Sequence, residues 1–459
     1  MEKKTNNSTD NNENAVFEDG KLRFASLDFM VQYLSEPNPE DQEIIAAILV
    51  CHSTLVDTKV FFLKFVEIYN GFSENKEKQK TLLRNFNLWI SLTPEVFVGD
   101  FLIEAMDFIE ILDNKYPKEI FPIIENFELI QGIENNETIT VLTQTLQTTS
   151  LSEKEKKLEE ENEKEIEKEK NRKEKKKKRM KEKEKEKEKE KEKEKEKEFE
   201  KPLLPKNISL EKITLNDLDP LEIARQLTMI QQITYLKIKR TELVTIRWSR
   251  NNLKHLSPNI IKYISNFNLF SDVFTSWILD SPKKKDRAKK LEKCIQIMDI
   301  CFKWGDLVTT SIIQNSLHSA PIHRLRHSWD LVSKKKIQSF RSLQDLFSHE
   351  RNSFRLRKVH NSISGKCVPY PGLYLTDLTF ITDGNPNNHL LNFNISKIRL
   401  EYQVIESFVH FQTREKYNFK IIPQIQKLLE KTFDGDQQSL FYKLSIELEP
   451  RKKSANEIP

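Results

Sequence analysis

The sequence predicts an all-α protein in which two helical domains are joined by a charged linker. Apolar residues recur at helical spacing in two stretches, residues 17–146 and residues 208–451. Between these stretches lies the tract KEKEKEKEKEKEKEKE, which has no apolar face and therefore cannot pack as a core helix. The 459 residues include only 9 glycines and 17 prolines, which leaves few tight hairpin turns for a β-rich fold.

The N-terminal domain is predicted to occupy residues 16–147, after a disordered segment at residues 1–15. Those first residues are polar and rich in asparagine, so they bury too little apolar surface to order the chain. The stretch FASLDFMVQYLSE then places apolar side chains at helical spacing. DQEIIAAILVCHSTLVDTKVFFLKFVEIYNGF continues the pattern as far as a glycine stop signal. The pattern predicts a compact bundle of four or more helices.

Residues 148–206 are predicted to form a Lys/Glu-rich linker of low complexity. Strict alternation puts opposite charges at i, i+3 and like charges at i, i+4, so charge pairing gives a lone helix mixed support. A solvated spacer is the simplest interpretation. The basic run RKEKKKKRMK at residues 172–181 leaves open a nuclear localisation signal or an attraction to anionic lipid, although interleaved glutamates weaken both hypotheses.

The second and larger helical domain is predicted over residues 207–452, with a short tail at residues 453–459. Its first helix begins in DPLEIARQLTMIQQITYLKI, where Asp219 is an N-cap, Pro220 is the first helical residue and Glu222 lies three residues after the cap. The expected buried stripe of this helix is Ile223, Leu227, Ile230 and Ile233.

Charge, cysteine usage and hydropathy limit the classes of protein that the chain can be. A net charge of +5 is mild for this length and gives no argument for a nucleic-acid partner. The four cysteines form no CxxC pair, which indicates a reduced, intracellular protein. The N-terminus lacks the apolar core of a signal peptide, and no apolar run approaches the roughly 20 residues that span a bilayer. We therefore expect a cytoplasmic protein.

No motif in the chain points to covalent chemistry, to a cofactor or to a metal. There is no GxxxxGK[ST] or GxGxxG loop, no HExxH and no GxSxG elbow. His323 and His327 are four residues apart, but a zinc site would need a third ligand that the sequence does not indicate. Asp383 and Gly384 resemble part of a calcium loop, yet the alternate acids before the glycine are missing. A protein that recognises another protein is the leading class.

The motif blocks of the second domain resemble the catalytic domain of Ras-family guanine-nucleotide exchange factors. In order along the chain, these blocks are DPLEIARQLTMI, CIQIMDICFKWGDL, SLHSAPIHRLRHSW, CVPYPGLYLTDLTFITDGNP, LLNFNISKIR and LFYKLSIELEPR. FEDGKLRFASLDFMVQYLS and FNLWISLTPEVFVGDFL in the first domain are similar to the Ras exchanger motif that accompanies such domains. The resemblance covers most of both predicted domains.

The resemblance implies a protein that exchanges GDP for GTP on a Ras-type or Rap-type GTPase without breaking a covalent bond. In the family, the exchanger motif braces a projecting helical hairpin that opens the nucleotide pocket. GLYLTDLTFITDGNP matches the first limb of that hairpin. By this match, Thr379 obstructs the magnesium site and Asp383 competes with phosphate. The four-residue spacing places both on one helix face. Membrane association would come through the GTPase.

Other contacts with the GTPase follow from the same resemblance. They are expected from Arg287, Asn352, Tyr370 and Thr376. A purely structural interpretation stays open for this region, because Leu373, Leu375, Leu378 and Phe380 could be core residues and Asp383 a surface charge.

Two departures from the family pattern motivate a second hypothesis. The block WGDL at residues 304–307 stands where the family has Leu-Asn-Asn-Phe, and Ser353 falls in a pair that usually contains tyrosine. A GTPase-binding scaffold that has lost efficient exchange is therefore the alternative. An unrelated helical adaptor is a third class, against which the ordered motif blocks argue.

Overall fold

The computed structural model of the chain describes residues 11–12, 14–39, 41–113, 201–348, 350–430 and 436–450. The chain divides into two compact units, of which one combines Met1–Ile123 with Pro202–Pro459. The other is Ile124–Lys201, and only its last residue lies among those described. The predicted linker at residues 148–206 and the tail at residues 453–459 therefore lie almost wholly outside the described residues, and the domain boundaries stay a prediction.

Helices dominate both parts of the larger unit, which confirms the predicted all-α fold class. In the N-terminal part the helices are α1 (Leu27–Tyr33), α2 (Glu43–Cys51), α3 (Thr58–Gly71), α4 (Lys76–Leu92) and α5 (Gly99–Asp113). Side-chain caps fix where several of them begin. Asp57 accepts hydrogen bonds from the backbone nitrogens of Lys59 and Val60 at 2.9 and 3.3 Å, and thereby satisfies donors in the first turn of α3.

An aromatic cluster forms the core of the N-terminal bundle. Trp89 is fully buried, and its ring centroid lies 5.2 Å from those of Phe61 and Phe97. His52 stacks on Phe61 at 4.5 Å, and burial lowers the pKa of this histidine to about 4. The imidazole is therefore neutral at physiological pH and packs as an aromatic core residue.

A small antiparallel sheet is the main feature that the sequence prediction missed. Its strands are β1 (Asn11–Asn12), β2 (Ala15–Glu18), β3 (Lys21–Ala25), β4 (Asn388–His389) and β5 (Asn392–Asn394), in the order β1-β2-β3-β5-β4. Asp19 and Gly20 connect β2 to β3 with φ angles of 52° and 73°, which is the left-handed backbone of a two-residue hairpin turn. Residues 11–12 and 15 are thus in strands, and the predicted disorder of residues 1–15 is wrong for them.

The sheet joins residues near the N-terminus to a hairpin at residues 388–394. Phe24 of β3 pairs with Asn394 of β5, and Ala25 pairs with Phe393. The N-terminal residues and the last third of the chain thus share one continuous set of backbone hydrogen bonds.

The C-terminal part of the unit is built from thirteen α-helices within the described residues. They are α6 (Pro220–Tyr235), α7 (Arg240–Leu243), α8 (Pro258–Leu279), α9 (Lys284–Trp304), α10 (Leu307–His318), α11 (Ala320–His323), α12 (Arg326–Trp329), α13 (Lys334–Leu346), α14 (Glu350–Ser362), α15 (Pro371–Gly384), α16 (Ile395–Val409), α17 (Pro423–Leu429) and α18 (Gln437–Leu448). Helices α8, α9 and α10 pack together and surround Phe270, Ile295 and Met298.

Helix α6 begins where the sequence predicts. Asp219 accepts a hydrogen bond from the backbone nitrogen of Leu221 at 2.8 Å, and Pro220 is the first helical residue. Glu222 is instead fully buried and accepts from the backbone nitrogen of Leu203 at 2.9 Å, which ties down the segment before the helix. The predicted buried stripe is wrong at Ile233, which is 37% exposed.

Candidate functional site

The exposed face of α15 carries three of the predicted site residues. Thr376 and Asp383 are exposed, and Thr379 is half-buried. Residues three, four and seven positions apart lie on one side of a helix, so these three side chains share a face. The Thr379 hydroxyl donates to the backbone oxygen of Leu375 at 2.8 Å. Asp383 forms no ion pair with any residue that the structure describes, so its carboxylate is available to a partner.

Phe380 belongs to the same exposed face, which the sequence did not indicate. Its side chain is 65% exposed, whereas Leu373 and Leu378 of the same helix are buried. The core interpretation therefore holds for these two leucines and fails for Phe380. The Phe380 ring thus adds exposed apolar surface to the face that carries Thr379 and Asp383.

Tyr370 lies immediately before α15, where its ring folds over the first turn of the helix. A Cβ atom at Gly372 would come within 2.3 Å of the Tyr370 ring, so the glycine leaves the space that the ring occupies. The ring also approaches Phe267 and Phe347, with centroid distances of 5.9 and 6.4 Å. Burial raises the pKa of Tyr370. Tyr370 is thus a half-buried aromatic on one wall of a cavity.

This cavity has a volume of about 440 Å³ and mixes aromatic walls with polar groups. Ser353 also lines the cavity and is 6% exposed. A small hydroxyl side chain thus lies in the cavity wall, within the pair of positions that usually contains tyrosine in the family that the sequence resembles. The neighbouring Asn352 is exposed, and its backbone oxygen accepts from Nε of Arg357 at 2.8 Å. Asn352 is therefore linked to α15 through Arg357, which also donates to Asp377 of that helix at 2.6 and 2.8 Å.

The predicted contact between Arg287 and a GTPase is not supported by its position. Arg287 is 1% exposed and forms an ion pair of 3.0 Å with Glu449. It also donates to Ser328 Oγ at 2.9 Å and to the backbone oxygens of Ser281 and Pro282 at 2.8 Å. These bonds occupy Nε and both terminal nitrogens. Arg287 therefore joins α9 to the end of α18 and cannot reach a partner in this structure.

The second limb of the hairpin, α16, is anchored to the N-terminal bundle by buried charges. Arg399 forms a bidentate ion pair with Asp41, and both side chains are almost completely buried. The hydroxyl of Thr54 donates to Glu401 Oε2 at 2.6 Å. Helix α16 also packs along α2, and β5 immediately before it pairs with β3. The N-terminal part of the unit thus holds α16 in place.

The block at residues 304–307 fixes the segment that leads into α15. Gly305 ends α9 with a φ of 85°, and a Cβ atom there would come within 2.8 Å of the Lys366 backbone oxygen. The backbone nitrogen of Leu307 donates to the backbone oxygen of Val368 at 3.0 Å, and the backbone nitrogen of Val368 donates to the backbone oxygen of Gly305 at 3.1 Å. Asp306 is fully buried, caps α10 and accepts from Thr228 at 2.7 Å. Because of burial, the pKa of Asp306 is raised to about 6.

Other candidate chemistry of the chain gives no site within the described residues. His323 and His327 are exposed, and no group of three or more His, Cys, Asp or Glu side chains there could hold a metal ion. Cys294 and Cys301 are fully buried, and burial raises the pKa of both thiols. None of the helices in the described ranges combines the length and the apolar character needed to cross a membrane.

Comparisons with known proteins identify a matched domain that contains α15. Residues 222–399 match the family model of the RasGEF domain, and this range contains α15 with Thr376, Thr379 and Asp383. Ras guanine nucleotide exchange factor J of Dictyostelium discoideum is 36% identical over 259 residues, which are 56% of this chain and 32% of the relative. Cell division control protein 25 of Saccharomyces cerevisiae is 31% identical over 252 residues, which are 53% of this chain and 16% of the relative.

The similarity extends over almost the whole chain in one relative. Ras guanine nucleotide exchange factor A of Dictyostelium discoideum is 24% identical over 462 aligned positions, which cover 96% of this chain and 67% of the relative. By contrast, the chain spans 32% of the length of exchange factor J and 31% of exchange factor I. Residues 222–399 form a RasGEF domain, and the predicted resemblance to this family is confirmed.

Proposed function

We propose that this chain, through its RasGEF domain, releases GDP from a Ras-family small GTPase and allows GTP to bind in its place. The observation that carries the proposal is the exposed face of α15, where Thr376, Thr379, Phe380 and Asp383 stand together within the matched range. The chain forms no covalent bond with its partner and supplies no cofactor. The expected partner is a GTPase of the Ras or Rap type.

The mechanism that we propose is insertion of the hairpin into the nucleotide pocket. Thr379 would stand in the space of the magnesium ion, and Asp383 would oppose the phosphates with its negative charge. Both effects loosen a polyanionic ligand. Because coupling between two ligands is reciprocal, an exchange factor that weakens nucleotide binding is itself displaced when a nucleotide binds. The nucleotide supply then decides which nucleotide refills the pocket.

The N-terminal bundle would serve as a brace in this mechanism. A hairpin that opens the nucleotide pocket of another protein must keep its own orientation when it meets resistance. Its second limb, α16, is held by a buried bidentate ion pair and by the strand pairing before it. We propose that residues 16–147 act as the Ras exchanger motif and keep the hairpin in its inserting orientation. The protein would work in the cytoplasm and reach a membrane through its GTPase.

The alternative is a scaffold that binds a GTPase and does not accelerate exchange. The observation that favours it is the cavity at Ser353, where an aromatic contact is absent, together with the Thr379 hydroxyl turned toward its own helix. The two functions make opposite predictions in a single assay.

The test is the release of labelled GDP from a panel of Ras, Rap and Ral-type GTPases with the full chain at micromolar concentration. We expect acceleration of at least tenfold for one member. Thr379→Ala with Asp383→Ala is expected to remove most of this acceleration, whereas Asp330→Ala, which removes another exposed carboxylate, should not. Thermal melting should be unchanged in all variants. Binding to a GTPase without any faster release would establish the scaffold instead.

A further inference from the structure

Lys397 lies at the start of the second limb and reaches back to the end of the first. Its side chain is 3% exposed. The ammonium donates to the backbone oxygens of Thr382 and Asn385 at 3.2 and 2.8 Å, and to Asn387 Oδ1 at 2.9 Å. An ammonium has three protons, so these three oxygens satisfy all of its donors. The contact spans the turn of chain in which Asp383 lies.

Asparagine side chains continue this connection to the N-terminal bundle. Asn387 Nδ2 donates to the backbone oxygen of Thr54 at 3.0 Å. Asn394 Nδ2 donates to the backbone oxygen of Pro386 at 2.9 Å, and its Oδ1 accepts from the backbone nitrogen of Lys397 at 3.1 Å. We call Lys397, Asn387 and Asn394 the tip lock. The tip lock ties the end of α15, the start of α16 and the bundle to one another.

The electrostatics of the helix end give Lys397 a second role. The last turn of a helix carries a partial negative charge, so an acid such as Asp383 is unfavourable there and a cation is favourable. Lys397 supplies that cation from outside the helix. Burial lowers the pKa of the lysine, and the negative charges of Glu401 and Asp383 oppose that shift. The lysine occupies carbonyl oxygens and leaves the Asp383 carboxylate facing solvent.

We infer that Lys397 is a positioning residue for exchange, which holds the Asp383 turn in its inserting geometry and couples that turn to the N-terminal bundle through Asn387. The inference rests on the proposed function. Lys397 acts through Asp383 and does not touch the GTPase. Loss of the lysine should therefore lower the maximal exchange rate while the KM for the GTPase changes little.

The test compares Lys397→Met with Lys290→Met in the full chain. Lys290 is a matched control, because it is also buried and donates to a backbone oxygen, that of Trp277 at 2.6 Å, far from the hairpin in sequence. We expect Lys397→Met to lower the maximal exchange rate about tenfold with KM within twofold, and Lys290→Met to leave both unchanged. In an Asp383→Ala background, Lys397→Met should add less than a twofold loss. An equal loss in both backgrounds, or full activity of Lys397→Met, would overturn the inference.

A second readout separates this inference from the proposed function. Amide hydrogen exchange of residues 381–387 should speed up at least tenfold in Lys397→Met and stay unchanged in Lys290→Met. If the wild-type chain accelerates no GTPase, the proposed function fails, and the amide measurement alone decides whether Lys397 locks the tip. Unchanged protection at residues 381–387 would contradict the lock whatever the exchange assay shows. Lys397→Arg, which retains the charge and donors, should recover part of both properties.

Discussion

Asp383 on the first limb of the hairpin and two charged residues on the second limb lie in opposite environments. On α15, Asp383 is exposed and free of ion pairs within the described chain. On α16, Arg399 and Glu401 are 7% and 1% exposed, and each has a partner in the N-terminal bundle. A charge that is to act on another molecule must keep its hydration until the partner arrives, whereas a charge that anchors must be desolvated and paired. Asp383 on α15 is therefore free to contact a partner, whereas Arg399 and Glu401 hold α16 in place.

The largest change in the free energy of unfolding is expected from a substitution in α16. Arg399→Ala leaves Asp41 buried without its partner, which should lower the free energy of unfolding by about 3–5 kcal/mol. Arg357 on α14 makes a similar bidentate pair with Asp377 of α15, at 2.6 and 2.8 Å, but both side chains are partly exposed. Arg357→Ala should therefore lower it by only about 1 kcal/mol. Urea unfolding of both variants measures the difference, and equal losses would show that burial does not distinguish the two pairs.

The next largest change in the free energy of unfolding is expected at Asp306, in the block that contacts the segment before α15. Burial raises the pKa of this carboxyl to about 6, against about 3.9 in an unfolded chain. Between these two values the folded state binds more protons, so stability falls as pH rises, and above pH 6 the full penalty remains. Asp306→Asn cannot ionise and should raise the free energy of unfolding by on the order of 2–3 kcal/mol at pH 7.5.

Measurements at two pH values check the sign of this prediction. At about pH 3.5 the carboxyl is protonated in the folded state and mostly protonated when unfolded, so wild type and Asp306→Asn should be close in stability. Urea unfolding at both pH values gives the difference. A variant that is equally stabilised, or equally destabilised, at the two pH values would show that the ionisation of Asp306 is not its cause. Asp330→Asn is the exposed control.

The smallest effect on stability is expected from a substitution on the exposed face of α15. Phe380 is 65% exposed, so Phe380→Ala should change the free energy of unfolding by less than about 0.5 kcal/mol. If its ring is covered by the GTPase, the same change should weaken the complex by about 1–2 kcal/mol, because aromatic residues are frequent hot spots of interfaces. Calorimetric titration with a nucleotide-free GTPase measures this. Unchanged affinity would remove Phe380 from the interface and leave Thr379 and Asp383 as the contact residues to test.

Local sequence signals were sufficient to place helix α6 but not to find the sheet. They located the start of α6 at Pro220, after the N-cap Asp219, because a cap acts within a few positions. The sheet was missed although Asp19-Gly20 is a strong hairpin signal, because its strands are at most five residues long and β3 completes its pairing with a strand far along the chain. Periodicity within one segment carries no information about such a partner.

Residue types in the site were also easier to predict than their exposure. The four-residue spacing predicted that Thr379 and Asp383 share one face of the helix that the family resemblance implied, and neither residue is buried in the structure. Arg287 was expected at the surface and is buried, since an arginine in a lysine-rich segment resembles a surface residue. The core alternative that the sequence left open for Phe380 does not hold, because its ring is exposed. Whether either is buried depends on distant elements, here the Glu449 region for Arg287.

The pairing of β3 with the distant strand β5 has a consequence for the protein while the ribosome is making it. Arg399 and its partner Asp41 are 358 positions apart. At about 5–20 residues per second, a ribosome needs about 20 to 70 seconds to make the intervening chain. During that interval the free edge of β3 and the Asp41 carboxylate have no native partner. The N-terminal bundle is thus made before the strand that completes its sheet, and the newly made protein presents an open strand edge to chaperones and to other chains until β5 arrives.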